Sequence, residues 1–282
     1  MSIEGSVELK DGRRLAYCEY GAPDGEALVL CHGIPGSRLA IMPEMAATAR
    51  ALGVRLLVPD RPGFGASDLP QAWLDDVWPR DLAALLDALG IARCRVVGYS
   101  IGGRYALHCA WALPARIDAV ELVCALAPAS LDAALVDTLS PTLRDLLTQA
   151  RDAPELLAQG LSGLDAGHLF ELYADALAPE DQVLLARPNV AQAIRRGSAE
   201  TLRQGVGGVI RDYHLAASTW PFALEAVRVP VRVWHGRRDR TIPPAMATRL
   251  VEGLPLSEVR WLEAAGHLCL FTHWEDICRS GK

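Results

Sequence analysis

Residues 98–103, Gly-Tyr-Ser-Ile-Gly-Gly, constrain the fold of this chain more than any other stretch. The preceding residues 94–97 are apolar and β-branched, which is typical of a buried strand. Residues 104–113 have the pattern of a helix that stops before Pro114. A serine at such a junction lies on a tight turn that exposes its hydroxyl, and the flanking glycines leave room for that turn. The pattern therefore predicts a strand, a sharp turn carrying Ser100 and a helix, although a glycine-rich turn with an incidental serine is the alternative.

A serine hydroxyl is a poor nucleophile at neutral pH, so Ser100 would need chemical partners. A base must lie within hydrogen-bond reach, and a carboxylate must orient that base. A predicted strand at 229–236 leads into a loop with Asp239, and another at 259–262 leads to His267. The carboxyl ends of parallel strands lie at one edge of a sheet, where such residues can meet. We therefore predict Ser100 as the nucleophile, His267 as the base and Asp239 as the orienting carboxylate.

Each of these partners also has an ordinary structural explanation. An aspartate after a strand is commonly a turn former or a helix cap, and a lone histidine is commonly packed or on the surface. His273, six positions after His267, is the main rival base, and Asp132 is a weaker candidate for the acid. The histidines that lack the strand-end placement or serve better elsewhere are His32, His108, His168, His214 and His235.

The distribution of predicted strands and helices indicates an α/β fold. The chain starts with a hairpin, residues 7–10 and 15–20, which turns at Asp11-Gly12. Strands and helices then alternate over residues 28–126, which implies right-handed crossovers and a mostly parallel sheet flanked by helices.

The middle of the chain has a different pattern. After Pro128 the sequence is helical in character, with no predicted strand before Val229. We therefore predict a core formed by residues 1–128 and 228–282. Residues 129–227 are predicted to form an inserted helical cap over the carboxyl end of the sheet.

Several motifs resemble those of the α/β-hydrolase fold superfamily, in particular its members with a helical cap and a serine nucleophile. They are His-Gly-Ile-Pro-Gly at 32–36, the Asp-x-x-Gly-x-Gly-x-Ser loop at 60–67, the Ser100 turn, and the Asp239 and His267 loops in the superfamily's Ser, Asp, His order. The resemblance implies an eight-stranded-type, mostly parallel sheet. Serine at position 100 disfavours the members with an aspartate nucleophile. The turn at 32–36 also resembles that of proline iminopeptidases, but Ile34 departs from their His-Gly-Gly-Pro-Gly pattern.

The resemblance also implies where an oxyanion would be held. Attack on a carbonyl creates a negative oxygen that needs preorganised donors. In this superfamily the donors are a backbone N–H of the turn at 32–36 and the N–H of the residue after the nucleophile. Here these are the amides of Ile34 and Ile101, whereas His32 is expected to orient the turn.

Composition limits the classes of protein to which this chain can belong. Its 282 residues, 51% of them apolar, can bury a large core. The formal net charge is −6 and no basic block is present, which argues against a nucleic-acid partner. No apolar run reaches the roughly 18 residues of a membrane span, so we expect no association with a membrane. The first residues, MSIEG, lack the apolar run of a signal peptide, which favours a cytoplasmic location.

The seven cysteines show no Cys-x-x-Cys motif and no Cys/His spacing suited to a metal. Cys18, Cys31, Cys94 and Cys124 lie in predicted strands, as small buried hydrophobic residues do. Cys269, two positions after the predicted base, is expected to pack in the core. We predict reduced thiols, no metal site and no cofactor.

These features together predict a serine hydrolase for an ester or lactone of a small-to-medium, partly apolar molecule. Carbon–carbon bond hydrolysis of a diketone and amide or aminopeptide hydrolysis use the same residues and remain alternatives, as does a ligand-binding or signalling protein. The expected partner is a small acyl substrate, and the chain is expected to be a monomer or homodimer.

Several apolar residues of the predicted cap either line an acyl pocket or only pack the cap helices on one another: Leu156, Leu157, Leu161, Leu164, Leu169, Phe170, Leu172, Tyr173 and Trp220. Three further aromatic residues either border the cleft or belong to the core: Trp73, Trp78 and Tyr99.

Overall fold

The computed structural model describes residues 2–72, 76–128 and 133–281, which form an eight-stranded sheet with flanking helices. The strands are β1 (Ile3–Glu8), β2 (Arg14–Gly21), β3 (Glu26–Cys31), β4 (Val54–Pro59), β5 (Cys94–Tyr99), β6 (Ile117–Val123), β7 (Val231–Gly236) and β8 (Ser257–Leu262). Their order is β1-β2-β4-β3-β5-β6-β7-β8. β2 pairs antiparallel with β1 and β4, and the other neighbours are parallel. The predicted α/β fold with a mostly parallel sheet is confirmed.

Thirteen α-helices are present among the described residues. They are α1 (Pro43–Ala51), α2 (Val77–Ala88), α3 (Gly102–Ala112), α4 (Ala133–Asp137), α5 (Pro141–Asp152), α6 (Pro154–Leu161), α7 (Ala166–Asp175), α8 (Pro179–Leu185), α9 (Pro188–Thr201), α10 (Gly207–Ala217), α11 (Pro244–Gly253), α12 (Cys269–Thr272) and α13 (Trp274–Arg279). Of the helices in these ranges, none is both long enough and apolar enough to cross a membrane.

The core consists of two apolar layers, one on each face of the sheet. Successive side chains of a strand point to opposite faces, and β3 shows this directly. Val29 and Cys31 belong to the layer covered by α2, α3 and α11, whereas Leu28 and Leu30 belong to the layer covered by α1 and α13. Burial on both faces explains why the central strands have nearly continuous apolar sequences.

The segment between β6 and β7 is helical over its described part. It contains α4 to α10 and, within residues 133–230, no strand. The predicted start of the cap at residue 129 lies outside the described residues, as do Asp132 and Trp73. The division of the chain into core and cap therefore stays a prediction, and we use "cap segment" below for α4 to α10.

Candidate active site

The turn between β5 and α3 carries Ser100 in an unusual backbone conformation. Its φ angle is 57°, a left-handed value that is uncommon for a residue with a side chain. A Cβ on Gly98 would lie 2.6 Å from the Cα of Gly103, and one on Gly102 would lie 2.2 Å from the carbonyl oxygen of Cys31. The glycines thus allow α3 to approach the sheet closely. The resulting sharp turn directs Ser100 into a cavity above the sheet.

Three predicted residues meet at the carboxyl edge of the sheet. His267 follows β8, and its Nε2 lies 3.2 Å from the Oγ of Ser100. Its Nδ1 lies 2.8 Å from the Oδ2 of Asp239, which follows β7. All three side chains are buried. The structure therefore forms a continuous hydrogen-bonded chain from hydroxyl to imidazole to carboxylate.

The second oxygen of Asp239 fixes the orientation of its carboxylate. Oδ1 accepts the backbone N–H groups of Thr241 and Ile242, both at 2.9 Å. The buried His235 supports this loop from below, because its Nε2 lies 2.8 Å from the carbonyl oxygen of Ile242. Asp239 therefore shapes its own turn and contacts His267 at once. The two interpretations of Asp239 from the sequence, as a turn former and as the carboxylate that orients His267, are therefore compatible.

His267 and Asp239 shift each other's pKa values in opposite directions. Burial by itself would lower the pKa of His267 and raise that of Asp239. The Asp239 carboxylate instead stabilises the protonated ring, and the charged ring stabilises the carboxylate. The pKa of His267 consequently lies well above its ordinary value, and the pKa of Asp239 lies below its own. Asp239 thus stabilises the imidazolium that forms when the ring accepts a proton.

The two predicted oxyanion donors border the same cavity as Ser100. Ile34 belongs to the turn after β3, and Ile101 begins the turn into α3. Within the described part of the chain, neither backbone amide donates to another protein group. A backbone N–H without a protein acceptor can serve a bound ligand. The placement of Ile34 and Ile101 is therefore compatible with the predicted role.

A buried ion pair that the sequence did not reveal supports the turn carrying Ile34. Arg61, after β4, donates to the carbonyl oxygen of His32 and, at 2.5 and 2.9 Å, to the carboxylate of Asp212 on α10. The hydroxyl of Tyr105 donates to the same carboxylate. Burial and the charge of Arg61 hold the pKa of His32 well below its ordinary value. His32 therefore stays neutral, in agreement with an orienting role.

Replacing Asp212 tests the contribution of this ion pair to stability. We expect Asp212→Asn to lower the free energy of unfolding by about 3–5 kcal/mol, because the guanidinium of Arg61 would remain buried without its counter-charge. Both side chains of the pair are fully buried. Urea denaturation followed by circular dichroism measures the effect.

The matched control is Asp152→Asn, which removes a carboxylate from the exposed pair with Arg151. That variant should unfold at the wild-type urea concentration, because exposed pairs contribute little. Equal stability of Asp212→Asn and wild type would show that the Arg61–Asp212 pair does not stabilise the fold.

The cavity above Ser100 has a volume of about 170 Å³ and lies between the sheet edge and the cap segment. Five of the cap residues predicted as possible pocket residues line it: Leu161, Leu164, Leu169, Leu172 and Tyr173. Leu156 is 61% exposed, whereas Leu157 and Phe170 are buried away from the cavity wall. Leu143, Leu146 and Val209 also line it and were not recognised from the sequence.

The other predicted candidates lie away from the cavity. His273 is half-buried beside Thr272 and does not line the cavity, so the rival base does not contact Ser100. His108 packs on Phe222 inside α3, and burial lowers its pKa to about 3. Trp78 belongs to the core. Tyr99 is buried behind His267 and donates to its carbonyl oxygen at 3.1 Å.

All seven cysteines are free and buried. Cys18, Cys31 and Cys94 lie in strands, as predicted, whereas Cys124 follows β6 with a positive φ of 46°. The Sγ atoms of Cys124 and Cys269 are 3.1 Å apart beneath His267. Cys269 therefore packs in the core, as expected.

Comparisons with known proteins agree with the fold. A family model described as the alpha/beta hydrolase fold matches residues 26–273. The chain is 28% identical over 287 residues to the 2-hydroxy-6-oxo-6-phenylhexa-2,4-dienoate hydrolase of Burkholderia cepacia, over 92% of this chain and 87% of that protein. It is 29% identical over 290 residues to the non-heme chloroperoxidase of Streptomyces lividans, over 97% and 96%.

A solved structure shows the same architecture. The esterase RhEst1 from Rhodococcus sp. ECU1013 has a TM-score of 0.72 at 21% identity, with 99% of this chain and 98% of that chain covered. Because the family model spans most of the sequence, this chain belongs to the α/β-hydrolase fold family. At the coarse level, the predicted hydrolase of that family is confirmed.

Proposed function

We propose that this protein is a serine hydrolase that cleaves esters or lactones of small, uncharged, aliphatic acyl groups. The observation that carries the proposal is the hydrogen-bonded chain from Ser100 through His267 to Asp239, which opens into an apolar cavity. Such a chain activates a hydroxyl for attack on a carbonyl. A protein that only binds ligands has no need of an activated serine.

The proposed reaction proceeds in two halves. Ser100 Oγ attacks the acyl carbon while His267 Nε2 takes the hydroxyl proton, and the N–H groups of Ile34 and Ile101 hold the oxyanion. His267 then gives its proton to the leaving alkoxide as the carbon–oxygen bond breaks, which leaves an acyl-enzyme. Water, deprotonated by His267, attacks that ester. The carboxylic acid departs and the proton returns to Ser100.

The cavity wall indicates the chemical class of the acyl group. Its lining contains many aliphatic side chains and, among the described residues, no lysine, arginine, aspartate or glutamate. Its volume of about 170 Å³ is close to the ~150 Å³ of an apolar protein cavity that holds benzene. An uncharged chain of about four to six carbons fits such a space. Each methylene buried there contributes about 0.8 kcal/mol to binding.

Carbon–carbon bond hydrolysis is the second candidate, and the similarity to the dienoate hydrolase of Burkholderia cepacia favours it. A dienoate carries a carboxylate, which is costly to bury without a cation. Among the described residues that line this cavity, none carries a permanent positive charge. Ester or lactone hydrolysis therefore agrees better with the wall of this site.

A matched pair of esters tests the proposed substrate class. We expect kcat/KM for p-nitrophenyl pentanoate to exceed that for mono-p-nitrophenyl glutarate by about 100-fold or more, because a carboxylate buried without a partner costs several kcal/mol. Both esters have the same leaving group and a five-carbon acyl chain. The release of p-nitrophenol, followed by absorbance, therefore isolates the effect of the charge.

Preference for the glutarate ester would contradict an uncharged acyl pocket. Absence of turnover with both esters, together with no labelling of Ser100 by a fluorophosphonate, would instead favour a ligand-binding protein. Labelling of Ser100 without ester turnover would contradict ester hydrolysis and indicate a serine enzyme that acts on another substrate. Diketones and amides are then the compounds to assay.

A further inference from the structure

A second buried carboxylate contacts the loop that carries His267, and it comes from the cap segment. Asp181, on α8, is completely buried. Its Oδ2 accepts the backbone N–H of His267 at 2.8 Å, and its Oδ1 accepts the backbone N–H of Leu268 at 2.8 Å. One carboxylate thus binds two consecutive amides, one of which belongs to the proposed base.

The approach of α8 to this loop is very close. A Cβ on Gly266 would lie 2.2 Å from the Oδ2 of Asp181, so the carboxylate occupies the space of a side chain. Glu263 and Ala264, at the start of the loop, are exposed. Side-chain packing therefore does not hold that part of the loop in place. Hydrogen bonds hold its other end: Asp181 accepts the amides of His267 and Leu268, and Tyr99 donates to the carbonyl oxygen of His267.

Two carboxylates from different parts of the chain therefore restrain His267. Asp239, on the loop after β7, contacts the ring nitrogen Nδ1. Asp181, on the cap segment, contacts the backbone amide. The ring nitrogen Nε2 reaches Ser100 only when both backbone position and ring orientation are correct. An error of about 1 Å in such a position can lower turnover by about 100-fold.

We propose that Asp181 is a positioning residue that sets the place of His267 relative to Ser100, so that docking of the cap segment is a condition of turnover. This inference rests on the proposed ester-hydrolase function. A carboxylate suits the role because both of its oxygens accept hydrogen bonds. An asparagine offers one acceptor and turns its NH₂ group toward the second amide.

The test compares Asp181→Asn with Glu180→Gln, a control on the same turn of α8. Glu180 pairs with Arg238 at the surface and does not line the cavity. We expect Asp181→Asn to lower kcat by about 10- to 100-fold. The loss should be equal for p-nitrophenyl acetate and p-nitrophenyl pentanoate, with KM nearly unchanged. Glu180→Gln should retain wild-type kcat and KM.

A merely structural role for Asp181 predicts a different result. If the residue only holds the cap segment over the acyl pocket, its loss raises KM for the pentanoate and leaves kcat for the acetate at the wild-type value. That result, or an unchanged kcat with both esters, would overturn the proposal.

Amide hydrogen exchange of the wild-type protein keeps the inference testable if Asp181→Asn does not fold or if no ester is turned over. The amides of His267 and Leu268 should exchange much more slowly than those of the exposed Glu263 and Ala264. Equally fast exchange would overturn the restraint by Asp181. Slow exchange without any ester turnover by wild type would contradict the proposed function alone.

Discussion

Replacing Ser100 with alanine is expected to lower kcat for p-nitrophenyl pentanoate by about 10⁶-fold, the size of effect seen when the nucleophile of a serine hydrolase is removed. No other hydroxyl of the described chain lies within hydrogen-bond distance of His267 Nε2. The acyl-enzyme would therefore not form. Slow hydrolysis assisted by the oxyanion donors would remain. Initial rates at saturating ester measure the change.

The fold should survive this substitution. The Ser100 side chain makes its hydrogen bond only with His267 among the described residues, and alanine adds no atom to the tight turn. Thermal unfolding of Ser100→Ala should therefore closely follow that of the wild type. This separates a loss of chemistry from a loss of structure.

Ser257→Ala is the matched control for the loss of a hydroxyl. Ser257 does not line the cavity, and its Oγ donates to the carbonyl oxygen of Leu254 at 2.8 Å. Turnover by this variant should stay close to that of the wild type. Wild-type turnover by Ser100→Ala, or labelling of that variant by a fluorophosphonate at the wild-type rate, would contradict the assignment of the nucleophile.

Asp239→Asn is expected to lower kcat by about 10⁴-fold without unfolding the protein. The asparagine oxygen can keep the amides of Thr241 and Ile242, which now bind Oδ1. Its NH₂ group would then face His267 and favour the tautomer with a bare Nδ1. The ring proton would then lie on Nε2, and a protonated Nε2 cannot accept the hydroxyl proton of Ser100. Stopped-flow and steady-state assays with the same ester measure the loss.

The pH dependence of Asp239→Asn should change as well. Only neutral His267 can accept a proton, so wild-type kcat/KM should rise with pH through the pKa of His267. Because Asp239 raises this pKa, the inflection should lie above the ordinary histidine value of about 6.5. In Asp239→Asn the raising charge is absent and burial remains, so the inflection should move to lower pH.

An identical inflection in both proteins would contradict the coupling of His267 to Asp239. Asp152→Asn is the control here, because it removes an exposed carboxylate that does not line the cavity. Its profile should coincide with that of the wild type. If the inflection of this control shifted by the same amount, the change would come from net charge and not from the contact with His267.

The fold, and the meeting of Ser100, His267 and Asp239 at one edge of the sheet, were predictable because both depend on local sequence patterns. The turn at Ser100 needs glycines at fixed offsets, and Asp239 and His267 follow directly after apolar strands. Strand direction then places their side chains at one edge of the sheet. The predicted parallel sheet was confirmed for the same reason, since alternating strands and helices leave few ways to connect.

Asp181 and Asp212 could not be recognised in this way. Their partners are far away in the sequence: 86 residues separate Asp181 from His267, and 151 separate Asp212 from Arg61. Neither aspartate lies in a motif, and on a helix of the cap segment each has the sequence pattern of a solvated charge. Only the packing of the cap segment on the sheet brings these carboxylates to their buried partners.

The lining of the cavity shows the same difference between what the sequence predicts and what only the packing of helices decides. Leu156, Leu157 and Leu161 all belong to α6 and are chemically alike, yet only Leu161 lines the cavity. The sequence by itself determined the sheet, the turn at Ser100 and the loops of Asp239 and His267, because backbone sterics and strand polarity act over a few neighbouring residues. Only the tertiary structure decided which leucines line the cavity and which aspartates contact the His267 loop and Arg61, because these contacts depend on how helices rotate and dock against a distant sheet edge.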